Sequence, residues 1–185
     1  MNIENLAIVI LRIVSGLLKA RQLNTQVSSK TRPTTDKIRS AIFSILSDVE
    51  DYANVLDGFA GTGALGIEAY SRGAKYIDFI EKDITCLKIN TSLLEKGTYK
   101  IYKGDFFKTA PLIHKQYDLI MFDPPYNIYK TNEVLDVVYN NNLLKDEGII
   151  MYEEFYKTEF IVNDYYNIVD ERKYGDTIIR FLKKN

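Results

Sequence analysis

The tetrapeptide Asp123-Pro-Pro-Tyr126 contains the residue types needed to hold a planar amine. It directly follows an apolar run that predicts a buried strand. Pro124 and Pro125 stiffen the exit of this strand and lack backbone N–H groups, so the carbonyl groups here are left to accept hydrogen bonds from another group. The Asp123 carboxylate and the Pro124 carbonyl can each accept one N–H of an amine, and Tyr126 can stack on the base that carries it. We therefore predict that this tetrapeptide holds the amino group of a nucleobase.

The stretch from Asp57 to Gly66 is rich in small residues and separates a predicted strand, 54–57, from a predicted helix, 64–72. Glycines in such a turn can adopt a positive φ or allow close packing, and the N–H groups at the helix start face the space above the strand end. The letters match G-x-G-x-x-G, but in the dinucleotide fingerprint the glycines follow the strand at once, whereas here residues 57–60 intervene. A tight turn that binds nothing is the alternative.

An acidic residue at a strand end, followed by F-A-G-T-G, resembles the first motif of the S-adenosylmethionine (SAM) methyltransferases. The resemblance implies that the turn binds SAM through a run of neighbouring residues: Asp57, Phe59, Ala60, Gly61, Thr62 and Gly63.

Two further acidic residues complete a candidate cofactor site. Glu81 lies about 20 residues beyond the glycine turn, at the end of the next predicted strand, where a carboxylate can accept both hydroxyls of a ribose. Asp105 can accept the exocyclic amine of adenine, with the N–H of Phe106 bonded to a ring nitrogen. The alternative for Glu81 is a solvated acidic residue at a strand end, and the alternative for Asp105 is a turn aspartate that binds no ligand.

Strand and helix patterns alternate beyond Asp57, which is typical of a parallel sheet. Strands are predicted at 76–80, 100–103, 117–122 and 148–153, helices at 83–96 and 131–140, and an antiparallel pair at 160–169 and 177–182. The fold class is therefore α/β, a doubly wound Rossmann-like sheet with antiparallel last strands. Ligands of such sheets bind at the carboxyl ends of the strands, where Asp57, Glu81, Asp105 and Asp123 are expected.

Charge is unevenly distributed along the chain. The net charge is −1 and the pI about 5.9, yet residues 11–39 contain seven basic residues and one acidic residue. A basic arm on an acidic body is typical of proteins that bind phosphate, although a solvated surface segment has the same composition.

This basic region has its own predicted structure. Residues 11–23 predict two short strands around a Ser15-Gly16 turn, followed by a polar loop. A helix is predicted after Pro33 as far as about Ser47, with its N-terminus capped by a threonine. Lys37 and Arg39 lie off the apolar stripe of this helix, and we expect both to point outward.

Composition narrows the class of protein. With 46% apolar and 26% charged residues, the 185-residue chain suits one soluble domain with a substantial core. The apolar run 6–11 is far shorter than the roughly 20 residues of a membrane span, and residues 1–10 are a poor signal peptide. Because Cys86 and His114 are the only residues of their types, cysteine and histidine metal sites are excluded. We expect a cytoplasmic monomer without a metal ion.

Three segments together resemble the RsmD family, which are SAM-dependent bacterial methyltransferases that act on N2 of a guanine in 16S ribosomal RNA. They are R-P-T-T-D-K-I-R at 32–39, D-G-F-A-G-T-G-A-L-G-I-E-A at 57–69, and D-P-P-Y at 123–126. The likeness runs from about Leu11 to Leu182 and includes Tyr174-Gly-Asp-Thr177.

The resemblance implies a role for each segment. Asp123, Pro124, Pro125 and Tyr126 would hold the guanine amine, and the glycine turn with Glu81 would hold SAM. The RNA side would include Arg32, Thr34, Lys37 and Arg39. The partner would be 16S ribosomal RNA or a small-subunit assembly particle.

The chain departs from the family pattern near its N-terminus. Leu17, Leu18 and Ala20 stand where the family's hairpin has glycines, and residues 1–10 have no counterpart. We therefore expect residues 1–10 to be a dispensable extension of a single methyltransferase domain, 11–185. Residues 11–50 would form its basic hairpin and helix, and 51–185 its SAM-binding catalytic core.

Two other functions are compatible with these motifs. D-P-P-Y also occurs in DNA adenine and cytosine amino-methyltransferases, but those usually carry a target-recognition domain for which 185 residues leave little room. A non-catalytic RNA-binding assembly factor would keep the fold without turnover, and the intact Asp57, Glu81 and Asp123 argue against it.

Overall fold

The computed structural model describes residues 11–25, 36–46, 49–126 and 128–185. Two short strands, β1 (Leu11–Arg12) and β2 (Gln22–Leu23), precede helix α1 (Asp36–Ile45). The elements that follow are β3 (Val55–Asp57), α2 (Ala64–Ser71), β4 (Ile77–Glu81), α3 (Thr85–Asn90), β5 (Tyr99–Lys103), α4 (Phe106–Thr109), β6 (Tyr117–Phe122), α5 (Thr131–Asn140), β7 (Leu144–Phe155), β8 (Tyr166–Tyr174) and β9 (Thr177–Lys184).

The seven strands from β3 to β9 form one sheet in the order β5-β4-β3-β6-β7-β9-β8. The strands from β5 to β7 in this order are parallel, and β9 lies antiparallel between β7 and β8. The predicted fold class is therefore confirmed. Strand order reverses at β3, which pairs with both β4 and β6, and the ends of the parallel strands form what we term the carboxyl edge.

Side chains alternate between two apolar clusters, one on each face of the sheet. Val55, Leu119 and Met121 belong to the cluster on the face of α1, α2 and α3. Leu56 and Ile120 belong to the cluster on the face of α4 and α5. Burial on both faces explains why these parallel strands are continuous apolar runs in the sequence.

Several predicted elements differ in extent from those observed, among them β7, which begins at Leu144 rather than at 148, and two of the differences have a local cause. The predicted helix 83–96 is divided into α3 and a 3₁₀ turn at Thr91–Leu93. The hydroxyl groups of Thr91 and Ser92 donate to the carbonyls of Lys88 and Ile89, at 3.4 and 2.6 Å, which competes with continued α-helical bonding. The predicted strand 160–169 begins only at Tyr166, since Phe160 instead packs against Tyr152 with ring centroids 5.5 Å apart.

The N-terminal hairpin is attached to α2. Its two strands pair antiparallel as predicted, but they are shorter and are joined by a longer turn. The buried carboxylate of Glu68 accepts the N–H groups of Val14 and Ser15 at 2.7 and 3.0 Å. Ser71 accepts the N–H of Leu18 at 2.9 Å. Hydrogen bonds from backbone N–H groups to side chains of α2 thus fix the hairpin on the domain.

Arg39 lies inside the protein, so the prediction that it points outward is wrong. Its side chain is fully buried, and Nη2 donates to the Arg12 carbonyl and to Asp36 Oδ1, each at 2.7 Å. The acidic partner one turn away and the hairpin carbonyl offset the cost of burying the guanidinium. Lys37 is exposed as predicted.

Several predictions lie outside the described residues: Arg32, Thr34, the helix cap at Thr34 or Thr35, the end of the first helix at Ser47, and the 1–10 extension. In the part of the chain that the structure describes, no helix is long and apolar enough to cross a membrane.

Candidate active site

Asp57 is the buried acidic residue of the carboxyl edge. Oδ2 accepts the N–H of Gly66 at 2.9 Å, while Oδ1 is buried without a hydrogen-bond partner among the described residues. Burial raises the pKa of Asp57 to about 7, and the negative charges of Asp123 and Glu81 add to this effect. The sheet therefore brings these three carboxylates close together, as the sequence predicts.

The glycine turn is held against the end of β4 by Glu81. Oε2 of Glu81 accepts the N–H of Gly61 at 2.8 Å, and Oε1 accepts the N–H of Asp83 at 2.9 Å. Gly61 has a φ of +52°, and a Cβ placed on it would meet no atom within 4 Å, so the turn is open to a ligand there. Gly66 has the opposite role: a Cβ would lie 2.3 Å from the Phe79 ring, so its absence lets α2 pack on the sheet.

Asp105 is the N-cap of α4. Oδ1 accepts the N–H of Phe107 at 3.0 Å, and Oδ2 forms an ion pair with Lys82 Nζ at 2.8 Å. The hydrogen bond from Lys82 lowers the pKa of Asp105 below its ordinary value. The N–H of Phe106 lies in the first turn of α4, where helix N–H groups have no partner within the helix.

Lys82 and Tyr129 belong to this site but carried no sequence signal. Lys82 Nζ donates to the Tyr129 hydroxyl at 2.8 Å, across a sequence separation of 47 residues. The Tyr129 ring lies 5.2 Å from Phe59 and 5.3 Å from Phe107. Three rings, Phe59, Phe107 and Tyr129, therefore form what we term the aromatic wall beside Asp105. They come from three separate segments of the chain, so sequence spacing alone could not predict that they meet.

The D-P-P-Y segment leaves β6 beside the ends of β3 and β7. Pro124 is buried, whereas Tyr126 is 40% exposed and packs on Phe155 with ring centroids 5.8 Å apart. The N–H of Ile128 approaches the Pro125 carbonyl at 3.4 Å. The segment thus forms a turn with an exposed aromatic ring at the carboxyl edge, close to Asp57.

These features fit an elongated ligand with a cationic part and an aromatic base. The cationic part would lie near Asp57 Oδ1, a buried oxygen that lacks a partner among the described residues. A ribose would lie along the open turn at Gly61 and Glu81, and a base beside the aromatic wall. No group of three or more His, Cys, Asp or Glu in the described ranges could hold a metal ion.

This sheet order, with a glycine-rich turn after its first parallel strand, defines the fold of a class I methyltransferase. The chain belongs to the RsmD family: the model of the family described as "Conserved hypothetical protein 95" matches residues 11–183.

Two relatives illustrate the likeness. The "Putative rRNA methyltransferase YlbH" of Bacillus subtilis is 34% identical over an alignment of 185 positions, which covers 94% of this chain and 99% of the relative. The "Ribosomal RNA small subunit methyltransferase D" of Haemophilus influenzae is 31% identical over an alignment of 172 positions, which covers 89% of each chain.

Solved structures share the fold. The "Putative methyltransferase yhhF" of Escherichia coli superposes with a TM-score of 0.82 at 27% identity, covering 95% of this chain and 98% of its own. The structure of "SMU.776, a putative methyltransferase complexed with SAH" superposes with a TM-score of 0.62 at 14% identity, covering 88% of this chain and 52% of its own.

Proposed function

We propose that the protein transfers a methyl group from SAM to the exocyclic N2 amine of a guanine in small-subunit ribosomal RNA. One observation carries the proposal: the sheet places the D-P-P-Y turn beside Asp57 and the glycine turn at the same carboxyl edge. An amine held at Asp123 would therefore lie next to a cofactor held at Glu81 and Gly61. The names of the relatives support ribosomal RNA as the substrate class.

The residues of the glycine turn would hold SAM, which supplies a methyl group bonded to a cationic sulfur. Glu81 would accept the ribose hydroxyls, and Asp105 with the N–H of Phe106 would contact the adenine. The conformation of the turn beside these contacts would depend on its remaining residues, Phe59, Ala60, Thr62 and Gly63. That a methyltransferase of the same fold is complexed with SAH supports SAM as the methyl donor.

The D-P-P-Y turn would align the guanine. The Asp123 carboxylate and the Pro124 carbonyl would each accept one N–H of the N2 amine, and Pro125 would keep the turn rigid. These two acceptors would bend the nitrogen out of the ring plane and direct its lone pair at the methyl group. Catalysis would therefore consist mainly of positioning and polarising the amine. Tyr126 would stack on the guanine ring.

Further aromatic and basic side chains continue from this turn. Phe155 contacts Tyr126 on one side and Tyr156 on the other, with ring centroids 4.9 Å apart in the second pair. Lys173 Nζ lies 4.4 Å and Lys157 Nζ 5.4 Å from the centre of the Tyr156 ring. Rings on which bases stack, with cations beside them, suit single-stranded RNA next to an extruded guanine.

The test is a transfer assay with methyl-labelled SAM. The acceptors are naked 16S ribosomal RNA, partly assembled small subunits from cells lacking this protein, and double-stranded DNA. We expect label in one of the two RNA substrates, recovered as N2-methylguanosine after digestion. Label only in DNA would favour an amino-methyltransferase of DNA, and SAM binding without transfer to any acceptor would favour a non-catalytic assembly factor.

A further inference from the structure

The side chain of Asn90 joins the N-terminal hairpin to the glycine turn. Its Oδ1 accepts the N–H of Asn24 at 2.7 Å, and its Nδ2 donates to the Asn24 carbonyl at 3.0 Å. The second hydrogen of the same Nδ2 is directed at the Thr62 carbonyl, at 2.8 Å. Asn90 is 1% exposed, and both of its amide hydrogens are used in these contacts.

The two segments that meet at Asn90 have different expected ligands. Thr62 lies in the glycine turn, between Gly61 and Gly63, and would contact the cofactor. Asn24 directly follows β2 and leads into residues 26–35, which contain the R-P-T segment expected on the RNA side. One planar amide therefore bonds to the backbone of both, and a displacement of either segment changes the geometry of the bonds to the other.

The surroundings of Asn90 hold this junction firmly. A Cβ on Gly63 would lie 2.6 Å from Leu87, so α3 packs directly on the glycine turn. At its other end the hairpin is bound to α2 through Glu68 and Ser71. Because α2 begins at the glycine turn, the hairpin is connected to this side of the domain at two points, and Asn90 makes the connection that contacts the glycine turn itself.

We propose that Asn90 is a positioning residue that couples the RNA-binding arm to the cofactor turn, so that RNA and cofactor each increase the affinity for the other. This inference rests on the proposed function. Its physical basis is that Asn90 bonds to both segments, so a ligand that fixes the position of one also fixes the geometry of the bonds to the other. Such coupling is reciprocal in binding free energy, so the same factor must appear whichever ligand is added first.

Asn24 offers a matched pair of variants, because only its backbone contacts Asn90 in these bonds. Asn24→Ala keeps the N–H and the carbonyl, whereas Asn24→Pro removes the N–H that Oδ1 accepts. The preceding residue, Leu23, lies in a strand, which is the conformation that favours a following proline. Asn90→Leu removes all three bonds with a side chain of the same branching but larger volume.

The measurement is the Kd of SAH by calorimetry, with and without a saturating RNA substrate, which is either naked 16S ribosomal RNA or the partly assembled small subunit, whichever the wild type binds. For the wild type and Asn24→Ala we expect RNA to tighten SAH binding at least fivefold. For Asn24→Pro we expect near-normal SAH binding without RNA and a coupling factor clearly smaller than that of Asn24→Ala, because one of the two bonds between residue 24 and Asn90 is lost. For Asn90→Leu we expect weaker SAH binding even without RNA, at least fivefold, because the Thr62 carbonyl is no longer held.

Each contrary outcome has a definite meaning. Equal coupling in Asn24→Pro and Asn24→Ala, or a wild type that binds RNA without coupling, would overturn the proposal. An Asn90→Leu variant that folds and binds SAH normally would overturn the positioning role without involving RNA at all. A wild type that binds SAH but neither naked 16S ribosomal RNA nor partly assembled small subunits would instead contradict the proposed function. Melting temperatures show whether each variant folds. If Asn90→Leu does not fold, Asn24→Pro still tests the coupling.

Discussion

Glu81 accepts the N–H of Gly61 at 2.8 Å, so the acidic residue at the end of β4 directly contacts the glycine turn. Both residues were predicted to bind the cofactor, and their separation of 20 residues gives no reason for direct contact unless the strands are adjacent. The contact leaves lone pairs on both carboxylate oxygens of Glu81. The same side chain can therefore hold the turn and accept hydroxyl groups of a ribose.

The first prediction concerns this side chain. Glu81→Ala should weaken SAM binding by about 1.5–3 kcal/mol, the range for hydrogen bonds to a charged group. Calorimetry with SAM gives the affinity, and Glu95→Ala, an exposed acidic residue before β5, is the control. Unchanged affinity in Glu81→Ala would mean that the ribose contact lies elsewhere.

Asp123 should affect transfer rather than cofactor binding. Asp123→Ala should abolish methyl transfer while SAM affinity changes little, because the carboxylate is expected to contact the amine. The lost hydrogen bond accounts for about 1.5–3 kcal/mol, and misalignment of the amine adds to it. Calorimetry and a labelled-methyl assay on the same preparation check both parts, and near-normal transfer would remove Asp123 from the mechanism.

The pKa of Asp57 predicts how the stability of the unliganded protein depends on pH. Its pKa is about 7 in the folded chain and near 3.8 when unfolded, so between these values the folded state binds more protons. The free energy of unfolding should therefore decrease as the pH rises from about 4 to 7, by at most about 4 kcal/mol. Above pH 7 this contribution should be constant.

Asp57→Asn is the variant that isolates this effect. The amide keeps an acceptor for the Gly66 N–H but does not titrate, so the decrease between pH 4 and 7 should largely disappear. Urea unfolding at several pH values gives the comparison. An identical pH profile in the two proteins would show that Asp57 is not the group responsible.

Much of the fold follows from the sequence because both faces of the central strands are buried. The bounds of β6 and α5 agree with the predicted ranges 117–122 and 131–140. The strand coincides with a continuous apolar run and the helix with a regular apolar stripe, and each element ends where its pattern ends. The acidic residues at the strand ends could be placed for the same reason. Their positions depend on strand periodicity and topology rather than on side-chain detail.

Other features depend on contacts between distant segments. Arg39 looks like a surface residue on a helical projection, but the hairpin covers that face of α1 and supplies the Arg12 carbonyl. The bonds of Lys82 to Asp105 and Tyr129, and those of Asn90 to Asn24 and Thr62, join segments far apart in the chain. No local pattern encodes such pairs, because each residue alone is compatible with solvent.

The burial of Arg39 gives a further prediction. Arg39→Ala should lower the free energy of unfolding by roughly 2–4 kcal/mol, because it leaves a cavity and removes the donor to the Arg12 carbonyl, whereas Asp36 keeps its ion pair with Arg12. Lys37→Ala, two residues away and exposed, should change it by less than about 0.5 kcal/mol. Denaturant titrations of both variants test the difference. Equal stability of Arg39→Ala and wild type would contradict the buried placement.

The last prediction concerns the lysines beside Tyr156. If Lys157 and Lys173 contact phosphates of the RNA, replacing both with alanine should weaken RNA binding. Each lost phosphate contact should also flatten the fall of log affinity with log salt, by about 0.7 for single-stranded RNA. Two contacts therefore give a change in slope of roughly 1.4, while SAM affinity should stay the same. The measurement is affinity for 16S ribosomal RNA at several salt concentrations.

Two further variants make this experiment specific. Lys75→Ala with Lys96→Ala removes the same charge from exposed positions that precede β4 and β5, at the opposite edge of the sheet, and should leave the slope close to wild type. Tyr156→Leu should weaken binding by about 1–3 kcal/mol through lost stacking but keep the slope, because it removes no charge. If both double variants change the slope equally, the effect is one of net charge, and the RNA does not contact the surface beside Tyr156.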